Sequence, residues 1–291
     1  MKDDHRMKKP IAWIMDTTGY VTDEFKSHPD VYIVPLNIHF DSEEYIDDGV
    51  DLTNTQLYEK IKNAKEFPKT SQPSAGKFAE LYDKLKEEYE CAIAVHASAK
   101  MSGTIASSTA GAEMTGFKVY AVDSLALSYG LSGLIERGML LEQQGKTAEE
   151  IAHHLEQETH DFRNYILIGN LSQLYKGGRM SGAQYYLGSL LKVKPIVQIT
   201  AEGELQPIDK VRSHKKAVQY LIGHANRDHQ EYGIDRFQIM HANVPDEAEN
   251  LKQDLLKIAP QAEILIGNLS SSLAVHAGEG TIALLWRKKA I

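Results

Sequence analysis

The chain has 291 residues, about twice the ~150 of an average domain, and 42% apolar with 25% charged residues leaves ample material for a buried core. A net charge of −8 argues against general nucleic-acid binding, which rests on accumulated positive charge. The single cysteine, Cys91, excludes an internal disulfide framework and a cysteine-based metal cluster, and it suits a reducing compartment.

The apolar run from Ile11 to Met15 stops at Asp16, too short for a signal-peptide core. No stretch reaches the roughly 18 uninterrupted apolar residues of a membrane span, so the expectation is a cytoplasmic protein. Ile11–Met15 reads as a buried strand and Asp16-Thr17-Thr18-Gly19 as the turn after it. Val31–Phe40 reads as a second strand, with Pro35 favouring an edge or a bend. Thr53-Asn54-Thr55-Gln56 has the spacing of a capping box, and Leu57, Ile61 and Ala64 continue one helical face. A helix after Pro73-Ser74 carries Phe78, Leu81, Tyr82, Leu85 and Tyr89, Cys91–His96 is a short apolar strand, and the small-residue segment from Ser102 is a candidate helix. Lys118–Val122 is a strand with Asp123-Ser124 as its turn, followed by a helix through Leu131, Leu134, Ile135 and Met139. Thr147-Ala148-Glu149-Glu150 is a second capping box, ahead of Ile151 and Leu155.

The second half is richer in strands: Tyr165–Gly169, Lys194–Ile199, Leu205–Val211, Arg236–His241, Glu263–Gly267 and Thr281–Trp286. Two helices interleave, near Lys215–Asn226 and Asp246–Ile258. The expected fold class is α/β with two domains, divided near residue 160. Residues 1–160 form a mainly parallel sheet with helices on both faces, and 161–291 an α+β unit with a mixed or antiparallel sheet.

Open parallel sheets bind ligands beyond the carboxyl ends of their strands. The turns there are rich in hydroxyls and glycine: Asp16 to Gly19, Ser98 to Thr104, and Asp123-Ser124 with Ser128 and Gly130 downstream. Ser102-Gly103-Thr104 offers a hydroxyl, a glycine and free helix-start amides, a combination suited to a carboxylate or a phosphate. Read singly, each turn is first an ordinary N-cap, and only the three together on one sheet edge bring a ligand site level with that reading. Thr70-Ser71-Gln72-Pro73-Ser74 is a hydroxyl cluster that also reads as a proline-assisted helix start. The segment Lys176 to Gly182 sets two cations among three glycines but lacks the spacing of a P-loop. His276 precedes a glycine turn. A triad of Ser102, His276 and Asp16 or Asp123 has no G-x-S-x-G elbow behind it, and no H-E-x-x-H is present. By elimination a binding module is more economical than a hydrolase.

These residues resemble the DegV family. Thr70 to Ser74, Met101 to Thr104, Asp123-Ser124, Gly177 to Gly182, Leu187 to Pro195, Lys210 to Arg212 and His276 to Thr281 occur in the family's order, covering nearly the whole chain from Ile11 to Trp286. DegV proteins are bacterial fatty-acid-binding proteins, and many are the acyl-binding subunit of a two-component fatty-acid kinase in phospholipid metabolism. The resemblance implies that Thr70, Ser102 and His276 hold a fatty-acid carboxylate, with Ser71 and Gly103 in the same ligand site. It implies an apolar tunnel between the domains for the chain, and places Arg179 and Arg212 near the mouth, for a partner or a phosphate. It further implies a lipid-binding protein without catalysis of its own, cofactor or metal. Its partners would be a long-chain fatty acid and a separate ATP-dependent kinase, with no nucleic acid, transient contact with a membrane surface, and a monomeric state. Two positions depart from the family's pattern: Thr17 stands where serine is usual, and Lys100 adds a charge before Ser102. The competing readings are a stand-alone serine hydrolase or acyltransferase using Ser102, and a carrier of another long-chain acid with no kinase partner.

Overall fold

Every second residue of β1 (Lys9–Asp16) faces the same way, and both sets are apolar, so this strand needs cover on two sides. The computed structural model describes residues 7–180 and 194–288 and supplies both covers. β1 lies inside a four-stranded parallel sheet with β2 (Val31–Val34), β6 (Tyr89–His96) and β7 (Val119–Asp123), in the order β2-β1-β6-β7. Ile11, Trp13 and Met15 pack under α5 (Tyr129–Gln143) and α6 (Ala148–Glu158). Ala12 and Ile14 pack under Phe78, Tyr82 and Leu85 of α3 (Ala75–Glu88), with α4 (Thr104–Thr115) beside it. The short helix α1 (Asp23–Ser27) adds Phe25 to the first of these cores.

The second large sheet has six strands: β8 (Phe162–Leu167), β9 (Lys194–Ile199), β10 (Leu205–Val211), β11 (Arg236–His241), β12 (Glu263–Asn268) and β13 (Ile282–Arg287), ordered β10-β9-β8-β13-β11-β12. All its pairings are antiparallel except β11 with β12. One face is closed by α8 (His214–Tyr232) and α9 (Pro245–Ile258), packed on Tyr165, Phe237, Leu284 and Trp286. The alternate residues Ile166, Met240, Ala283 and Leu285 face the other way, towards the first half. Both sheets have the character expected of them.

Several elements depart from the expected pattern. Val31–Phe40 is two strands, because Pro35 takes the chain out of the parallel sheet after Val34. β3 (Asn37–Phe40) joins β4 (Glu43–Ile46) and β5 (Lys69–Ser71) in a separate antiparallel sheet, ordered β4-β3-β5. Ile38 and Phe40, with Leu57 and Tyr58 of α2 (Asn54–Asn63), pack on Met240, Ala283 and Leu285, so this excursion covers the second sheet. Two short helices also appear, α7 (Leu171–Lys176) and α10 (Ser271–Ala277). Among the described residues no helix is long and apolar enough to cross a membrane.

Candidate functional site

Successive residues of a strand point to opposite faces, and β5 uses this to separate two hydroxyls. Ser71 turns to His39, its Oγ 2.9 Å from Nε2. Thr70 turns the other way and meets Nε2 of His276 at 2.7 Å. His276 stands in the last turn of α10, and the first turn of that helix is held from far away in sequence. The buried carboxylate of Asp47, just past β4, accepts the amide N–H groups of Ser271 and Ser272 at 3.1 Å each and the Ser272 hydroxyl as well. Burial pushes the Asp47 carboxyl above its ordinary value against these donors and Thr17. Thr17 thereby links turns, since its Oγ1 also accepts the amide of Leu36 at 3.1 Å.

Gly177 makes room for the imidazole: a β-carbon there would lie 2.2 Å from His276 Nδ1. That nitrogen is buried and has no hydrogen-bond partner among the described residues. Burial, and then the nearby Arg179 charge, hold His276 down at about 4, so it is neutral near pH 7. Arg179 donates to the carbonyls of Gly177 at 2.7 Å and Met101 at 3.4 Å. No carboxylate pairs with it among the described residues. Ser102 Oγ lies 2.8 Å from Thr104 Oγ1 at the start of α4. Gly103 has no side chain to obstruct Gln72, whose amide nitrogen would sit 2.8 Å from a β-carbon there.

Thr70, Gln72, Ser102, Arg179 and His276 share the wall of one cavity. Gln72 and Arg179 are exposed and mark the mouth. Behind it the wall is mostly apolar, built from Met101, Leu127, Ile166, Leu269, Leu273 and Leu285 among others, between the second sheet and the turns of the first. Arg179 is the only charged residue of that wall among the described residues. Ser71 and Gly103 do not line the cavity. Arg212, exposed after β10, does not line it either. Lys100 reaches out to Glu204 at 3.8 Å. Ser181 and Gly182, and the motif residues Leu187 to Val193, lie outside the described residues.

The residues proposed as a triad are engaged elsewhere. Asp16 accepts from His96 and the amides of Thr18 and Ala97, and Asp123 accepts from the amides of Ala99 and Leu125. Asp47 escaped the sequence reading as a site residue, while Gln72 and Ser128 were flagged only by their places in the TSQPS stretch and in the turn after β7.

Residues 10–289 match the family model described as "Uncharacterised protein, DegV family". The chain belongs to the DegV family. It is 31% identical over 279 residues to Protein DegV of Bacillus subtilis, covering 95% of this chain and 98% of that one. Among solved structures it resembles a fatty acid binding DegV family protein from Streptococcus agalactiae, with a TM-score of 0.89, 29% identity, and 97% and 100% of the two chains covered. DegV from Bacillus subtilis, described as a fatty acid binding protein, superposes with a TM-score of 0.86 at 30% identity over 96% of this chain and 99% of that one.

Proposed function

We propose that this DegV protein is a fatty-acid carrier that buries a long acyl chain in the cavity and holds its carboxylate at the mouth, where a separate ATP-dependent kinase phosphorylates it. The carrying observation is the polarity of the cavity, with Thr70, His276, Ser102 and Arg179 at the open end and apolar walls behind. The two solved relatives described as fatty acid binding support the ligand class.

The chemistry of the mouth fits a carboxylate. With no acceptor at Nδ1, the neutral His276 carries its proton on Nε2 and donates it to Thr70, which frees the threonine O–H for the ligand. The Ser102 hydroxyl and the first amides of α4 add donors, and Arg179 adds the countercharge. Buried methylenes supply most of the affinity, ~0.8 kcal/mol each before ordering costs. The division near residue 160 belongs to this reading, with the ligand held where the two parts meet. Arg212, exposed and without an ion-pair partner among the described residues, serves kinase docking. The separate engagements of Ser102, His276, Asp16 and Asp123 favour a carrier over a hydrolase.

Native mass spectrometry of the purified protein should show an added fatty-acid mass that delipidation removes and palmitic acid restores. A protein that neither carries nor takes up an acyl chain would overturn the reading. Robust acyl-phosphate formation from ATP by the isolated chain would overturn the carrier role.

A further inference from the structure

Ser128 occupies the N-cap position of α5 and does not cap it. At the starts of α1, α2, α3, α6, α7 and α8, the residues Thr22, Thr53, Ser74, Thr147, Asn170 and Ser213 have extended backbones, and each side-chain oxygen accepts a first-turn amide. That is the ordinary use of a hydroxyl or amide at this position. Ser128 instead has φ 54° and ψ −131°, a backbone state that glycine adopts freely and serine adopts at a cost. Its amide donates to the carbonyl of Thr18 at 2.7 Å, which holds the turn in place.

Ser128 lines the ligand cavity and is only 5% exposed, and its hydroxyl is not used to cap the helix. That hydroxyl has no hydrogen-bond partner among the described residues. The neighbouring hydroxyls of the wall are engaged: Thr18 with Asp16, Ser272 with Asp47, Thr281 with Ala277, and Ser102 with Thr104. Ser128 is anchored by the turn that follows β1. Its partner Thr18 adjoins Thr17, which meets Asp47 at the first turn of α10, whereas His276 is in the last. From Ser272 to His276 is four residues, ~6 Å along a helix.

We propose that Ser128 is a specificity-determining residue that hydrogen-bonds an oxygen on the ligand's chain, so that this protein takes a long-chain acid bearing a hydroxyl or keto group several carbons from its carboxylate. The inference rests on the fatty-acid reading above and narrows it. An unsubstituted chain packed against Ser128 strips water from the hydroxyl and returns nothing. A wall that hydrogen-bonds a ligand oxygen discriminates strongly against the analogue lacking it.

The test titrates delipidated wild type, Ser128→Ala and Ser128→Gly with stearic acid, oleic acid and a set of stearic acids hydroxylated at successive mid-chain carbons. Wild type should prefer at least one hydroxylated acid over stearic acid by ~10-fold or more. Both variants should bring that preference to within about twofold, and Ser128→Gly, relieved of the strained backbone, should melt no lower than wild type. Equal affinity of wild type for stearic and all hydroxylated acids would overturn the inference. So would a preference that survives in both variants, or a Ser128-dependent preference for oleic acid alone. Failure of wild type to bind any of these acids would instead remove the fatty-acid reading, and this inference with it.

Discussion

Thr70→Ala removes the hydroxyl that meets His276 at 2.7 Å, and its effects separate into two ledgers. In the free protein the imidazole loses its one partner, since Nδ1 has none among the described residues. A buried polar group left unpaired costs about 1–3 kcal/mol, so the melting temperature should fall modestly. The strand itself should survive, because Thr70 is held opposite Ile38 by main-chain pairing. In the complex the carboxylate loses a donor to a charged acceptor, worth about 1.5–3 kcal/mol, or roughly 10- to 150-fold in Kd. Thr70→Ser keeps the hydroxyl and should remain near wild type. Calorimetric titration of the three delipidated proteins with palmitic acid, beside their thermal melts, reads both effects. Palmitic acid affinity of Thr70→Ala within about twofold of wild type would refute the carboxylate role, and a lowered melting temperature alone would leave Thr70 as a support for His276.

The His276 imidazole, held down at about 4 by burial and Arg179, stays neutral in the fold where an unfolded histidine takes a proton below about 6.5. The unfolded state then binds more protons, so stability should fall as pH drops from about 6.5 towards 4, by up to about 3 kcal/mol. Melts of wild type and His276→Gln across that range check this, and parallel curves would contradict it. Gly177→Ala sets a methyl against His276 Nδ1 and should displace the ring from Thr70, weakening palmitic acid binding by about 1–3 kcal/mol while circular dichroism stays native; unchanged affinity would show that the ring position is immaterial. Arg212→Ala should keep fatty-acid affinity and melting temperature but lose most kinase-dependent acyl-phosphate formation. Full activity in that assay would leave Arg212 without a role in the reaction.

What the sequence made legible was what depends on near neighbours. The capping boxes at Thr53–Gln56 and Thr147–Glu150 form as read, because both partners lie within one turn. The parallel sheet was legible because strands buried on both faces leave unbroken apolar runs. β4 and β5 were not, since GluGluTyrIle and LysThrSer carry no alternation strong enough to mark a strand. α10 is short and opens on three serines and carries its meaning through Asp47, one acidic residue among several in its stretch. The strained backbone of Ser128 has no compositional trace, because a positive φ at serine is imposed by the turn around it. The family's ordered motifs reached Thr70, Ser102 and His276 as a set, which local pattern alone did not.

The Asp47 cap spans 224 residues of chain, and that distance shapes how the protein is made. When the first half leaves the ribosome, Asp47 has no helix to cap, and Ile38, Phe40 and Leu57 lack the β11 and β13 residues that later cover them. The buried residues on both faces of the parallel sheet all precede residue 160, so that sheet should mature first, ahead of the flap. Closure waits for residues beyond 270, a long-range step that slows folding and leaves apolar surface open meanwhile. Nascent chains stalled before that point should be the form of this protein most dependent on chaperones.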